Sequence, residues 1–297
     1  MSDLTDSKIQ ELELTANSIR ESIIEMLLEA KSGHTAGPLG MADIFTYLYF
    51  HGLKHDPKNP SWPERDRLVL SNGHICPVLY ATMAHAGYFP TEELLTLRKF
   101  GTRLQGHPHR DWLPMLETSS GPLAAGLAQA VGMALADRMD KKDGERTIYC
   151  LMSDGEQESG AIWEAGMLAG KNKLRNLIGI IDRNNIQIDG FTEDIMPLEP
   201  FADKWRAWNW HVIEIDGHNF REIDNAANEA KSIFEKPTMI IAHTIPGKGV
   251  DFMERDFKWH GNPPGTDLPG EPSKADQGRI ALEELRTLGG KIRSEHQ

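Results

Sequence analysis

Residues 147–190 read TIYCLMSDGEQESGAIWEAGMLAGKNKLRNLIGIIDRNNIQIDG, and this stretch decides the fold. An apolar run from Thr147 to Met152 ends in Ser153-Asp154-Gly155, and a helix of small residues is predicted over Ser159 to Asn172. A second apolar run, Leu177 to Ile181, then ends in Asp182-Arg183-Asn184-Asn185. Strand, turn, helix, strand, turn is the order of a parallel βαβ unit. Its right-handed crossover puts both strand ends on one edge of the sheet, where doubly wound folds hold their ligands. Asp154 and Asn184, 30 residues apart in the chain, can therefore lie within reach of one ligand. A carboxylate and a carboxamide are hard oxygen donors suited to Mg²⁺, which draws its remaining ligands from phosphate and water. The same residues are also ordinary turn formers, and on spacing alone the turn reading is the favoured one.

Composition narrows the class. The chain has 297 residues, 39% of them hydrophobic, enough for one large α/β core or two small ones. A net charge of −12 argues against nucleic acid or an anionic membrane as a partner. Cys76 and Cys150 both sit in apolar surroundings and read as small buried hydrophobes, not as a disulfide framework. The uncharged run Thr118 to Ala136 contains too much Gly, Pro, Ser and Gln for a membrane span. MSDLTDSKIQ at the N-terminus lacks the pattern of a secretory signal, so a reducing, cytoplasmic setting is expected.

Outward from the central unit, Ile9, Leu12, Ala16, Ile19, Ile23, Leu27 and Ala30 recur at helical spacing and predict an amphipathic first helix ending at Gly33. His34 follows in SGHTAGPLG, where Gly33, Gly37 and Gly40 allow the backbone to wrap closely. A second helix is predicted over Met41 to Phe50, a short buried strand over Arg67 to Ser71, and a helix over Cys76 to Ala86. His74 in SNGH and His107 in GHPH repeat the Gly-His pairing at element boundaries, and packing has no use for repeated imidazoles in loops. Thr118-Ser-Ser-Gly-Pro-Leu opens a helix over Ala124 to Ala136 whose N-terminal amides would suit a polar or anionic ligand, or simply mark a Pro-initiated start. Beyond residue 190, strands are predicted at Trp210 to Ile215 and Thr238 to Ala242, with a helix at Asn219 to Phe234 between them. The alternation argues for an α/β, doubly wound, mostly parallel sheet with helices on both faces. An irregular segment carries His260, and after a Pro/Gly-rich joint Ser273 and Asp276 form a cap box for a last helix stopping at Gly289-Gly290. Residues 1–261 are thus expected to form the main domain and 262–297 the joint and helix.

The acidic-Gly pair and the asparagine turn about thirty residues later resemble the thiamine diphosphate signature, and IDRNNIQIDG resembles its transketolase version. SGHTAGPLG, SNGHICPVLYA, GHPHR, SSGPLAAGLAQAVGMALA, SDG and KWHG stand in the order of the diphosphate-binding (PP) domain of transketolases. The resemblance implies that Asp154, Asn184 and the main-chain carbonyl of Ile186 hold Mg²⁺, with Ca²⁺ or Mn²⁺ able to stand in. It implies that His34, His74, His107 and His260 are catalytic, and that His74, Gly121, Leu123, Gly155, Asn184 and His260 bind thiamine diphosphate. The implied reaction moves a two-carbon ketol unit from a ketose phosphate to an aldose acceptor, with imidazoles titrating near working pH as proton carriers.

The family's pyrimidine-binding domain and phosphate-gripping arginines have no match in this chain. It therefore resembles the N-terminal subunit of a split transketolase, expected to form the cofactor ylide poorly alone and to work with a C-terminal subunit in a two-plus-two hetero-oligomer. The chain departs from the family pattern at three places. Ser153 replaces the usual glycine before Asp154, and Ser159 replaces the glutamate that links paired sites, with Glu158 adjacent and Glu164 matching another interface acid. Pro246 stands where many relatives have lysine. Other readings are a split transketolase for an unusual sugar, branched such as apulose 4-phosphate or sulfonated, and a non-catalytic regulatory or scaffolding relative. A deoxyxylulose-phosphate-synthase-like enzyme differs at the asparagine turn, and a dinucleotide oxidoreductase would need a G-x-G-x-x-G after an early strand.

Overall fold

The computed structural model describes residues 4–142 and 145–295, the last of these, 288–295, as backbone alone. Chain order gives α1 (Asp6–Ala30), α2 (Ala36–Gly40), α3 (Ala42–Tyr47), β1 (Arg67–Leu70), α4 (Cys76–His85), α5 (Ala125–Met139), β2 (Ile148–Ser153), α6 (Gly160–Asn172) and β3 (Leu177–Arg183). A small hairpin, β4 (Ile186–Gln187) and β5 (Gly190–Phe191), leads to α7 (Thr192–Ile195) and α8 (Phe201–Ala207). The chain closes with β6 (His211–Asp216), α9 (Phe220–Ser232), β7 (Thr238–His243) and α10 (Gln277–Glu295).

Five strands form one parallel sheet in the order β1-β2-β3-β7-β6. The apolar runs alternate between two cores, because successive strand residues point to opposite faces. Tyr149, Leu151, Ile178, Ile180 and Ile240 join the core built on α1, α3, α4, α9 and α10. Cys150, Met152, Leu177, Ile181 and Ile241 join the core on α5, α6 and α8. Both cysteines are buried and unpaired, as their apolar neighbours require. Strand order runs one way through β1, β2 and β3 and the other way through β6 and β7. The reversal leaves a crevice between β3 and β7 at the carboxyl ends, the position where open α/β sheets bind ligands. Among the described residues no helix is long and apolar enough to cross a membrane.

Several predicted boundaries move. α1 ends at Ala30 because Lys31 takes the left-handed cap, with its N–H on the Leu27 carbonyl. The helix expected from Met41 to Phe50 is α3 followed by a π-helical turn, Leu48–Gly52, and the short helix α2 forms inside the glycine-rich stretch expected to be a loop. β3 continues through Asp182 and Arg183, since Asp182 pairs with Ala242 and Arg183 with His243 of β7. α10 runs past Gly289-Gly290 to Glu295, because glycine ends a helix only where the chain turns left-handed and otherwise accepts helical angles. Ser273 Oγ meets Asp276 Oδ2 at 2.8 Å ahead of α10, and the buried Gln277 side chain ties the joint through Gly265 N–H, Thr266 O and Pro272 O. Asn17 Nδ2 donates to the Leu285 carbonyl at 3.0 Å, fastening α10 to α1.

Candidate functional site

Register delivers the two polar turns to one place. β2 and β3 pair Ser153 with Asp182, so the next residues meet directly: Asn185 N–H donates to Asp154 Oδ2 at 2.7 Å and Gly155 N–H to Oδ1 at 2.8 Å. Asn185 adopts a left-handed φ of 64° to make that turn, a conformation asparagine tolerates better than most. Asn184 Nδ2 donates to Asp182 Oδ2 at 2.7 Å while its Oδ1 accepts Ile186 N–H at 3.0 Å. Asp182 Oδ2 accepts from the Asn184 amide nitrogen and so sets which way that amide faces. Thr244 Oγ1, just past β7, donates to the other Asp182 oxygen.

Asp154 is fully buried. Burial pushes its carboxyl up to about 6 against the pull of Arg183 and the Asn185 and Gly155 amides. Burial pushes Asp182 up to about 7, opposed by the Thr244 hydrogen bond and reinforced by the charge on Asp154. A positive charge beside these buried carboxyls favours their ionised forms. Among the described residues no three His, Cys, Asp or Glu side chains gather as a metal-ligating set. The donors that fit are of mixed type, one carboxylate, one carboxamide and the adjoining backbone, all hard oxygens suited to Mg²⁺.

The loops carrying His34, His74 and His260 meet one another. His34, from the loop before α2, lies 4.8 Å from His74 and 5.4 Å from His260 between ring centroids, and His74 lies 5.2 Å from His260. A Cβ on Gly261 would come within 3.8 Å of both His34 Nε2 and Ile188, which brings the β4–β5 hairpin to the same cluster. His34 Nδ1, His260 Nδ1 and both amide atoms of Asn72 are buried without a partner. Such orphaned groups fit a site made for a polar ligand. The imidazoles do not keep a free histidine's pKa. Burial pushes His34 down to about 3, His260 to about 4 and His74 well below its ordinary value, with their mutual charges adding for His34 and His74. The expectation that they titrate near working pH is corrected for the ligand-free protein, where all three are neutral. His107 is exposed at the rim, within electrostatic reach of His34 and His74.

The start of α5 holds the second correction. Its N-terminal amides are not open for a ligand: Glu156, 1% exposed, accepts Ala124 N–H and Ser71 Oγ–H on Oε1 and Ser153 N–H on Oε2 at 3.2 Å. Ser71 Oγ accepts Gly126 N–H at 3.1 Å. Glu156 thereby caps α5 from another loop, and Ala124 takes a left-handed φ of 73° to reach it. A Cβ on Gly73 would sit 2.5 Å from Ser120 Cβ, so the His74 loop rests directly on Ser120-Gly121. Gly121 faces open space and Leu123 is 47% exposed beside it. A Cβ on Gly155 would come within 3.2 Å of Gln187, whose Nε2 lies 3.4 Å from each Glu158 oxygen. Glu164 is exposed on α6, and Pro246 is buried against Gly40 at the end of α2.

Asp182, Arg183 and Glu156 escape a sequence reading. The first two look like turn residues, and Glu156 shows only as an acid near Asp154, with partners 85 and 32 residues away.

Residues 12–270 match the family model described as transketolase, thiamine diphosphate binding domain. The chain is 47% identical over 84% of its length to a 6-deoxy-6-sulfo-D-fructose transketolase subunit from a Clostridium species, covering 90% of that protein. It is 40% identical over 95% of its length to an apulose-4-phosphate transketolase subunit from Phocaeicola vulgatus, covering 99% of that protein. Among solved structures, the transketolase of Campylobacter jejuni superposes with a TM-score of 0.81 at 35% identity, covering 96% of this chain and 48% of that one. The chain thus spans about half the length of the solved transketolases it matches.

Proposed function

Since this chain belongs to the transketolase family through its thiamine diphosphate-binding domain, we propose that it is the N-terminal subunit of a two-chain transketolase, moving a two-carbon ketol unit from a ketose phosphate to an aldose acceptor. The observation that carries the reading is the meeting of the Asp154 and Asn184 turns, whose following hairpin reaches the cluster of His34, His74 and His260 through Ile188. Near-complete coverage of relatives named as transketolase subunits supports a separate partner chain. That partner would carry the pyrimidine-binding domain, in a two-plus-two assembly.

Thiamine diphosphate, when bound, supplies the nucleophilic carbon and the electron sink for breaking and forming the C–C bond. Asp154, Asn184 and the Ile186 carbonyl would hold the Mg²⁺ that neutralises its diphosphate. Gly121 and Leu123, at the open rim of the α5 loop, would pack on the cofactor. Neutral imidazoles of His34, His74 and His260 would each offer one N–H and one lone pair to sugar hydroxyls. They would stabilise a developing alkoxide by donating rather than by carrying full charge. His107, at the rim, would meet the sugar as it enters.

The test is co-purification with the tagged chain, then ketol transfer from xylulose 5-phosphate with thiamine diphosphate and Mg²⁺, with and without the captured partner. Activity only with a second chain supports the reading. A partner with activity confined to a sulfonated or branched ketose, as the names of the two similar subunits suggest, supports the specialised form. No thiamine diphosphate binding with the partner present refutes both in favour of a non-catalytic relative.

A further inference from the structure

Arg183 brings a positive charge to the very turn that would hold a cation. It closes β3 with its side chain only 4% exposed, and its guanidinium lies 3.3 Å from Asp154 Oδ2. Its shorter contacts go elsewhere: to Thr192 Oγ1 at 3.0 Å, Glu193 Oε1 at 2.8 Å and Glu199 Oε1 at 3.0 Å. The contact to Asp154 is the longest of the four, and it leaves the fixed positive charge beside the buried carboxylate.

Resting on the metal reading above, we propose that Arg183 is a built-in competitor for the divalent cation. It keeps the affinity of Asp154 and Asn184 for the ion low until a diphosphate arrives with it. A guanidinium and a divalent ion sharing one buried carboxylate repel each other strongly, because the protein interior screens charge far less than water does. Glu193 and Glu199 cancel part of that repulsion, but their side chains are 38% and 60% exposed, so solvent screens their share. A diphosphate adds negative charge on the other side of the ion and reverses the balance. Ion and diphosphate then each raise the other's affinity by the same factor, as linkage requires.

The experiment measures Mn²⁺ binding to the full chain, by the electron paramagnetic resonance of free Mn²⁺, with no thiamine compound present. Arg183→Met should bind Mn²⁺ about tenfold more tightly than wild type, while Arg183→Lys, which keeps the charge, should stay near it. Glu193→Gln with Glu199→Gln, at partly exposed positions that tolerate change, should weaken binding. Affinity that fails to rise in a folded Arg183→Met protein overturns the competition. If that variant does not fold, unchanged affinity in the double glutamine variant does the same. Asp154→Ala should abolish binding in every background. Binding that survives it would place the ion elsewhere and overturn the metal reading and this inference together.

Discussion

Replacing Glu156 by alanine should destabilise the protein by about 2–6 kcal/mol, and the loss should be felt first at the start of α5. The carboxylate receives three donors at once: Ser71 Oγ–H, Ala124 N–H and Ser153 N–H. Leaving buried donors unmet costs roughly 1–3 kcal/mol each, and Ser71 can turn its hydroxyl elsewhere while the two amides cannot. The glutamine variant separates charge from shape. Its amide must point an NH₂ at one of the backbone N–H groups, and the Ser153 side, already the longer contact at 3.2 Å, is the cheaper choice. The burial that pushes the Glu156 carboxyl upward means that removing the charge returns part of the loss, so Glu156→Gln should cost only about 1–3 kcal/mol. Urea unfolding at neutral pH gives both values. Amide exchange localises them, with Ala124 and Ser153 losing protection in the alanine variant and Ser153 alone in the glutamine variant. Unchanged Ala124 protection in Glu156→Ala would refute the cap, whatever the global stability did.

Other outcomes follow from the same geometry. Asp154→Ala should abolish Mg²⁺-dependent thiamine diphosphate binding in the assembled enzyme, read by cofactor fluorescence or calorimetry; retained affinity would remove Asp154 from the site. His260→Ala should spare partner assembly on a sizing column yet lower turnover. Histidine resonances of the ligand-free chain should show His34 and His260 still neutral at about pH 6. Because their folded pKa values are depressed to about 3 and about 4, the unfolded chain binds the extra protons. Stability should therefore fall as pH drops from about 6.5 to about 4, by roughly 3 kcal/mol for His260 alone; a flat profile across that window would contradict the burial of the cluster. Asp43 acts at lower pH. Burial would raise it, but Arg20 and His218 outweigh burial and hold it at about 2. Its stabilisation, roughly 2 kcal/mol, is complete above about pH 4 and lost as pH falls toward about 2, and Asp43→Asn should remove that acid limb from the urea midpoints.

What the sequence determined by itself is what local pattern can encode. The alternating apolar runs and the polar turns after Met152 and Ile181 dictate a parallel βαβ unit, and strand pairing then brings Asp154 beside Asn184 without further information. The repeated Gly-His loops and the order of the motifs carry the family. The tertiary structure decided which of those histidines meet: His34, His74 and His260 cluster within 5.4 Å, while His107 stays at the rim. It decided their protonation, because a pKa depends on burial and neighbouring charge, which no loop sequence specifies. It decided that the α5 amides are capped by Glu156 and that Arg183 stands beside Asp154, since those contacts join residues whose partners are chosen by packing across the sheet edge and not by spacing along the chain.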